Sequence, residues 1–225
     1  MHGYLPAIEL ETAVNPTFSI IWLHGLGADG NDFVSIVPEL DLPASPGVRF
    51  IFPHAPVIPV TCNNGYAMRA WYDIYSMSGI NRQVDEKGIR ASREAVRRLI
   101  TRENERGVPT DRIMLAGFSQ GGAIAYSTGL THPDTLAGII ALSTYLPSPS
   151  LVADEWNAAN RNTPIFAAHG IEDGVVPLQL GIHARNTIQQ HNPSLAWHTY
   201  HMPHSVCMEE IDAIGTWMRA IMSKT

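Results

Sequence analysis

Apolar positions along the chain fall into two alternating patterns. Candidate strands recur at Phe18–Leu23, Val48–Phe52, Arg112–Ala116, Leu136–Leu142, Pro164–Ala168 and Ala196–His201, several of them continuous apolar runs. Runs of this length without polar alternation are expected of strands covered on both faces. Ala7–Thr12 alternates instead, as a half-exposed antiparallel edge strand would. Between the runs the spacing changes to that of helices. Ile89, Val96, Leu99 and Ile100 share one face of a helix predicted from about Asp85 to Arg106. Ile211, Ile214, Trp217, Met218, Ile221 and Met222 form a stripe on a C-terminal helix, and Pro177 suits the first turn of a helix continuing toward Gln190. Strand, helix, strand in repetition predicts an α/β fold with a mostly parallel central sheet and helices on both faces. No linker, repeat or low-complexity segment interrupts residues 1–225, which read as one domain.

The segment Pro53–Gly79 departs from this rhythm. It has no clear helix or strand, and long loops of this kind in compact domains are usually functional. Its Met68, Trp71, Tyr72, Ile74, Tyr75 and Met77 are too apolar for a solvated loop and suit the wall of a substrate cleft.

The strand predicted over Arg112–Ala116 runs into Gly117-Phe118-Ser119-Gln120-Gly121, followed by small residues that open a helix. A G-x-S-x-G sequence between strand and helix is the pattern of a nucleophile elbow, which presents a serine hydroxyl above the sheet edge. A serine needs a base, and the base needs an orienting acid. In elbow architectures these follow in the order serine, acid, histidine. Asp173, directly after the run Pro164–Ala168, and His204, after the last predicted strand, occupy strand-end loops on the same edge as Ser119. The chain holds 10 histidines, so rivals exist. His24 and His169 precede glycines at strand ends and could be structural, while His201 falls within the predicted last strand. Asp134, Asp154 and Glu172 are less aptly placed acids. An oxyanion hole would combine the backbone N–H of Gln120 with one from the turn His24-Gly25-Leu26-Gly27, where Leu26 is the candidate.

These stretches together resemble the carboxylesterase/acyl-protein thioesterase family of α/β-hydrolases. The resemblance spans nearly the whole chain, through His24–Phe33, Pro53–Pro56, Met68–Asp73, Gly117–Gly122, His169–Pro177 and His204 with its flanks. It implies an α/β-hydrolase fold, Ser119, Asp173 and His204 as a triad, and Leu26 and Gln120 as oxyanion donors. It also implies that Trp71 lies near the acyl-binding cleft. Met68, Trp71, Leu146 and Val176 are the side chains expected to line the pocket, with Thr144–Pro149 also shaping it. The implied activity is hydrolysis of carboxylic esters, with thioesters, acylated proteins and lysophospholipids as alternative substrates and peptide cleavage a remote one. A non-catalytic acyl-binding module is the reading from another class.

Composition limits the partners. With 21 acidic against 15 basic side chains the formal net charge is −6, and no long basic run is present, which argues against nucleic acid. No metal or cofactor is expected, since two distant cysteines fit no zinc site or disulfide framework. No signal peptide or span-length apolar run is evident, so a cytoplasmic protein without stable membrane insertion is expected. The apolar cleft wall could also serve as a homodimer face.

Overall fold

In the computed structural model, residues 3–76 and 83–224 are described. Strands β1 (Ala7–Glu11), β2 (Phe18–Leu23) and β3 (Val48–Pro53) come first. Four short strands follow, β4 (Val57–Val60), β5 (Tyr66–Arg69), β6 (Ile74–Ser76) and β7 (Gln83–Val84). Then come α1 (Glu86–Glu105), β8 (Ile113–Phe118), α2 (Gln120–Leu130), β9 (Gly138–Leu142) and α3 (Pro149–Glu155). The chain closes with β10 (Ile165–Gly170), α4 (Leu178–Gln189), β11 (Leu195–Tyr200) and α5 (Met208–Met222).

Seven strands form the central sheet in the order β1-β3-β2-β8-β9-β10-β11, all parallel except β1, which pairs antiparallel with β3. Every residue of β2, β3, β9 and β10 is buried, which accounts for their continuous apolar runs. Successive side chains separate onto the two faces. Ile21, Leu23, Leu115, Ile139 and Ile165 pack with α1, α2 and α4, while Ile20, Trp22, Met114, Ile140 and Phe166 pack with α5. The α1 layer is also tied down by charge. Glu103, fully buried, accepts from Ser19 Oγ and from Arg49 Nη1, each at 2.7 Å.

The connections set where chemistry can occur. From β2 the chain moves to β3 on one side, and it later enters β8 on the other. The C-terminal ends of β2 and β8 therefore lie side by side, with Leu23 opposite Gly117, while their loops diverge. Open parallel sheets bind ligands at such a switch point.

The described part of Pro53–Gly79, residues 53–76, has more order than its sequence suggested. β4 and β5 form an antiparallel hairpin, Val57 opposite Arg69, and β6 pairs with β7. The hairpin turns through Asn64 and Gly65, whose φ angles are 57° and 73°, the left-handed pair an Asn-Gly turn supplies. Met77 lies outside the described residues. Among them, no helix is long and apolar enough to cross a membrane.

Candidate active site

Ser119 joins β8 to α2 at φ 54° and ψ −120°, a conformation that a non-glycine residue holds only under constraint. The constraint is dense packing. A Cβ on Gly121 would stand 2.2 Å from the Leu23 carbonyl oxygen, and one on Gly117 would stand 2.4 Å from the Gly121 carbonyl group. Only glycine lets the helix start this close to β2. The Ser119 N–H donates to the Leu142 carbonyl at 2.9 Å, and its own carbonyl accepts from the Thr144 hydroxyl at 2.6 Å.

His204 follows β11 and Asp173 follows β10, and the two loops converge on Ser119. The His204 Nε2 atom lies 3.0 Å from Ser119 Oγ, and its Nδ1 lies 2.7 Å from Asp173 Oδ2. An ionised Asp173 accepts the Nδ1–H, which leaves Nε2 unprotonated to accept the serine hydroxyl. Asp173 Oδ1 accepts from the N–H groups of Val175 and Val176 at 2.9 and 2.8 Å. Burial alone would raise the Asp173 carboxyl. The bonds from His204, Val176 and Val175 outweigh burial and hold it below the usual carboxylate range. Phe118 packs against the imidazole, with ring centroids 4.7 Å apart.

The rival histidines have other partners. His24 donates Nδ1–H to the Gly25 carbonyl and accepts the Ala55 N–H at Nε2, which uses both ring nitrogens. His169 donates Nε2–H to the Val176 carbonyl at 2.8 Å, bracing the turn that holds Asp173. Burial disfavours the charged form of both. His201 lies just past the end of β11 with its side chain 86% exposed, and so is not the strand histidine its sequence position suggested.

A cavity of about 220 Å³ opens onto Ser119 and His204. Its walls include Leu26, Ile74, Phe118, Tyr145, Val175 and Val176. Of the pocket residues expected from sequence, Val176 is on this wall. Leu146 lines a neighbouring cavity of about 400 Å³ that shares Tyr145. Met68 sits on the β4–β5 hairpin, its Sδ 3.7 Å from where a Cβ on Gly27 would be, and is not on the wall. Trp71 is also elsewhere. It is 2% exposed, lies behind the turn after β2, and donates its indole N–H to the His24 carbonyl at 2.9 Å. An apolar residue in a long loop signals burial, but not which side of the loop it packs against. Ile74, expected on a cleft wall from the apolar content of its loop, and Tyr145, within the Thr144–Pro149 stretch expected to shape the pocket, are also on this wall, whereas Phe118 stands there without having been singled out. Phe118, inside the elbow sequence, had the clearest signal, since the residue before Ser119 must lie close to whatever the Ser119 side chain contacts.

Leu26 and Gln120 both border the cavity. Among the described residues neither backbone N–H meets a protein acceptor, and Gln120 opens α2, where such donors are free. A Cβ on Gly25 would lie 3.6 Å from the Ser119 Cβ, so the turn after β2 passes directly beside Ser119. Among the described residues no three His, Cys, Asp or Glu side chains gather as a metal site would require.

Proteins similar to this chain over nearly its whole length share one family. The profile of the phospholipase/carboxylesterase family matches residues 8–222. An acyl-protein thioesterase 1 of Neurospora crassa is 38% identical, covering 97% of this chain and 93% of its own. The acyl-protein thioesterase 1 of Yarrowia lipolytica is 36% identical, covering 95% and 96%. Among solved structures, Arabidopsis thaliana SOBER1 superposes with a TM-score of 0.86 at 29% identity, over 91% of this chain and 99% of its own. Zea mays acyl-protein thioesterase 2 gives 0.85 at 25% identity, over 97% and 100%. With the family profile spanning almost its whole length, this α/β-hydrolase belongs to the phospholipase/carboxylesterase family.

Proposed function

We propose that this chain hydrolyses carboxylic esters and thioesters through a Ser119–His204–Asp173 triad and an acyl-enzyme intermediate. The observation that carries the reading is the line of contacts from Ser119 Oγ to His204 Nε2 at 3.0 Å and from His204 Nδ1 to Asp173 Oδ2 at 2.7 Å.

Ser119 Oγ attacks the substrate carbonyl carbon as its proton passes to His204 Nε2. The carbonyl oxygen becomes an oxyanion and accepts from the Leu26 and Gln120 N–H groups, each such donor being worth about 3 kcal/mol. The tetrahedral centre collapses, the bond to the leaving oxygen or sulfur breaks, and His204 returns its proton to that atom. Water then adds to the acyl-serine by the same route and releases the acid. Asp173, held ionised by its three hydrogen bonds, fixes the imidazole tautomer and stabilises the transient imidazolium. All three members are present and in contact, which favours an enzyme over an acyl-binding module.

The apolar wall formed by Leu26, Ile74, Val175 and Val176 suits an acyl chain, and the cavity beyond Tyr145 offers room for a longer one. The names of the curated relatives make thioesters on acylated proteins the first class to test, with lysophospholipids next. Hydrolysis of p-nitrophenyl esters from acetyl to palmitoyl, each with a matched thioester, tests the reading. The parent should turn over both series, and Ser119→Ala should lose several orders of magnitude while keeping its fold. Near-parental turnover by Ser119→Ala would refute the nucleophile assignment.

A further inference from the structure

The Gln120 side chain is 2% exposed, and both ends of its amide are bonded to one segment. Oε1 accepts the Trp71 backbone N–H at 2.8 Å, and Nε2 donates to the Tyr72 carbonyl at 2.8 Å. That segment grips the turn after β2 in two places. The Trp71 indole N–H donates to the His24 carbonyl at 2.9 Å, and the Gly27 N–H donates to the Arg69 carbonyl at 2.8 Å. The two bonds straddle Leu26. Ser92, on α1, donates its hydroxyl to the Trp71 carbonyl and holds the segment from behind. Residues 69–72 thus connect the turn that carries Leu26 to the side chain of the residue whose own backbone N–H is the second candidate donor.

We propose that Trp71 and the Gln120 side chain are positioning residues that fix the separation of the Leu26 and Gln120 N–H groups as a paired oxyanion site. This inference rests on the oxyanion role proposed above. The two donors come from different elements, the loop after β2 and the first turn of α2. Without a brace they would drift independently. Donors of this kind work only when both reach the oxyanion within about 2.7–3.1 Å. A misplacement of about 1 Å can cost about a hundredfold in rate. The chemistry at position 120 is specific. The side chain must accept from one backbone group and donate to the next, which glutamine does in one amide and neither glutamate nor methionine does. Because the oxyanion exists only along the reaction, loosening the brace should lower kcat and leave KM nearly unchanged.

The test compares the parent with Trp71→Phe, which removes the indole N–H and keeps an aromatic ring, and with Gln120→Met, which keeps length without polar ends. Each is assayed for kcat and KM on a p-nitrophenyl ester and for inhibition by a trifluoromethyl ketone, whose serine adduct carries the oxyanion. The expected result is a loss in kcat of about tenfold to a hundredfold, KM within twofold, and a weakening of the ketone by the same factor. The double variant should lose less than the product of the single losses, because both act on one brace. Unchanged kcat in Trp71→Phe, a rise in KM alone, or unaltered ketone affinity overturns the proposal. If Gln120→Met does not fold, Trp71→Phe decides alone. An inactive parent, or an active Ser119→Ala, would instead overturn the triad reading beneath it. An active parent with an unaffected Trp71→Phe removes only the brace.

Discussion

The Thr144 hydroxyl donates to the backbone carbonyl of Ser119 at 2.6 Å, so the loop after β9 holds the strained turn after β8. Strain of this kind costs about 1–3 kcal/mol and persists only where neighbours enforce it. The same carbonyl accepts the Ala123 N–H at 3.1 Å, as the first bond of α2. Thr144→Val keeps the shape and removes the hydroxyl. It should cost about 1 kcal/mol of stability and lower kcat severalfold, because the elbow relaxes and Ser119 Oγ leaves its line to His204. Urea unfolding and ester kinetics on one preparation check both, and unchanged values in each would mean that the turn is held elsewhere.

Asp173→Asn tests the tautomer argument. An amide in place of the carboxylate can turn its NH2 toward His204 and favour the imidazole with its proton on Nε2, which cannot accept from Ser119. A loss of kcat of about ten-thousandfold is expected with the fold retained. Circular dichroism with steady-state kinetics reads this, and a loss under tenfold would remove Asp173 from the role assigned to it.

Gly121→Ala addresses the elbow as architecture. The added Cβ would meet the Leu23 carbonyl oxygen at 2.2 Å and that of His24 at 2.5 Å, both rigid backbone atoms of β2 and its turn. Relief requires α2 to back away from the sheet, at a cost of about 1–3 kcal/mol or more. The expected outcome is a lower denaturation midpoint together with lost activity. A variant with parental stability would contradict the packing described.

Glu210, in the first turn of α5, is fully buried, and neither carboxylate oxygen meets a donor in good geometry among the described residues. Burial raises its carboxyl from an ordinary 4.5 to about 8, with the Cys207 backbone N–H pulling weakly the other way. The folded state therefore holds this proton at neutral pH while the unfolded chain releases it. The stability linked to this group is complete below about pH 4.5 and is lost as pH rises toward 8, at up to about 1.4 kcal/mol per pH unit. His24, His132 and His169, whose charged forms burial disfavours, tilt stability the opposite way, so the comparison between variants is what matters. Glu210→Gln should gain stability over the parent as pH rises from 5 to 8 and level off above about 8. Urea unfolding across that range tests it, and a difference independent of pH would contradict it.

The sheet was legible in the sequence because strands buried on both faces leave unbroken apolar runs. Phe18–Leu23 is a strand to the residue, whereas β8 runs on through Gly117 and Phe118, because the elbow continues the strand before turning. The β4–β5 hairpin was not legible as strands. Its residues are mostly exposed, Pro59 interrupts it, and its one firm signal, Asn64-Gly65, marks only the turn. Helix α3 was hidden by the prolines around it, although Pro149 stands where a helix accepts one, in its first turn. At the candidate site, chain order and strand ends were enough to single out Ser119, Asp173 and His204. The pocket was less readable, because it depends on which way loop side chains turn. Trp71 turns inward behind the turn after β2, and Tyr145 faces the cavity after Ser143 takes a positive φ of 44°.

The most direct test is covalent. Incubation of the parent with a fluorophosphonate, followed by proteolysis and peptide mass mapping, should place one adduct on Ser119 and none in Ser119→Ala. Labelling should fall steeply in a His204→Ala variant, because the hydroxyl then has no base. An adduct on another residue, or ester hydrolysis by a protein whose Ser119 never reacts, would contradict the account.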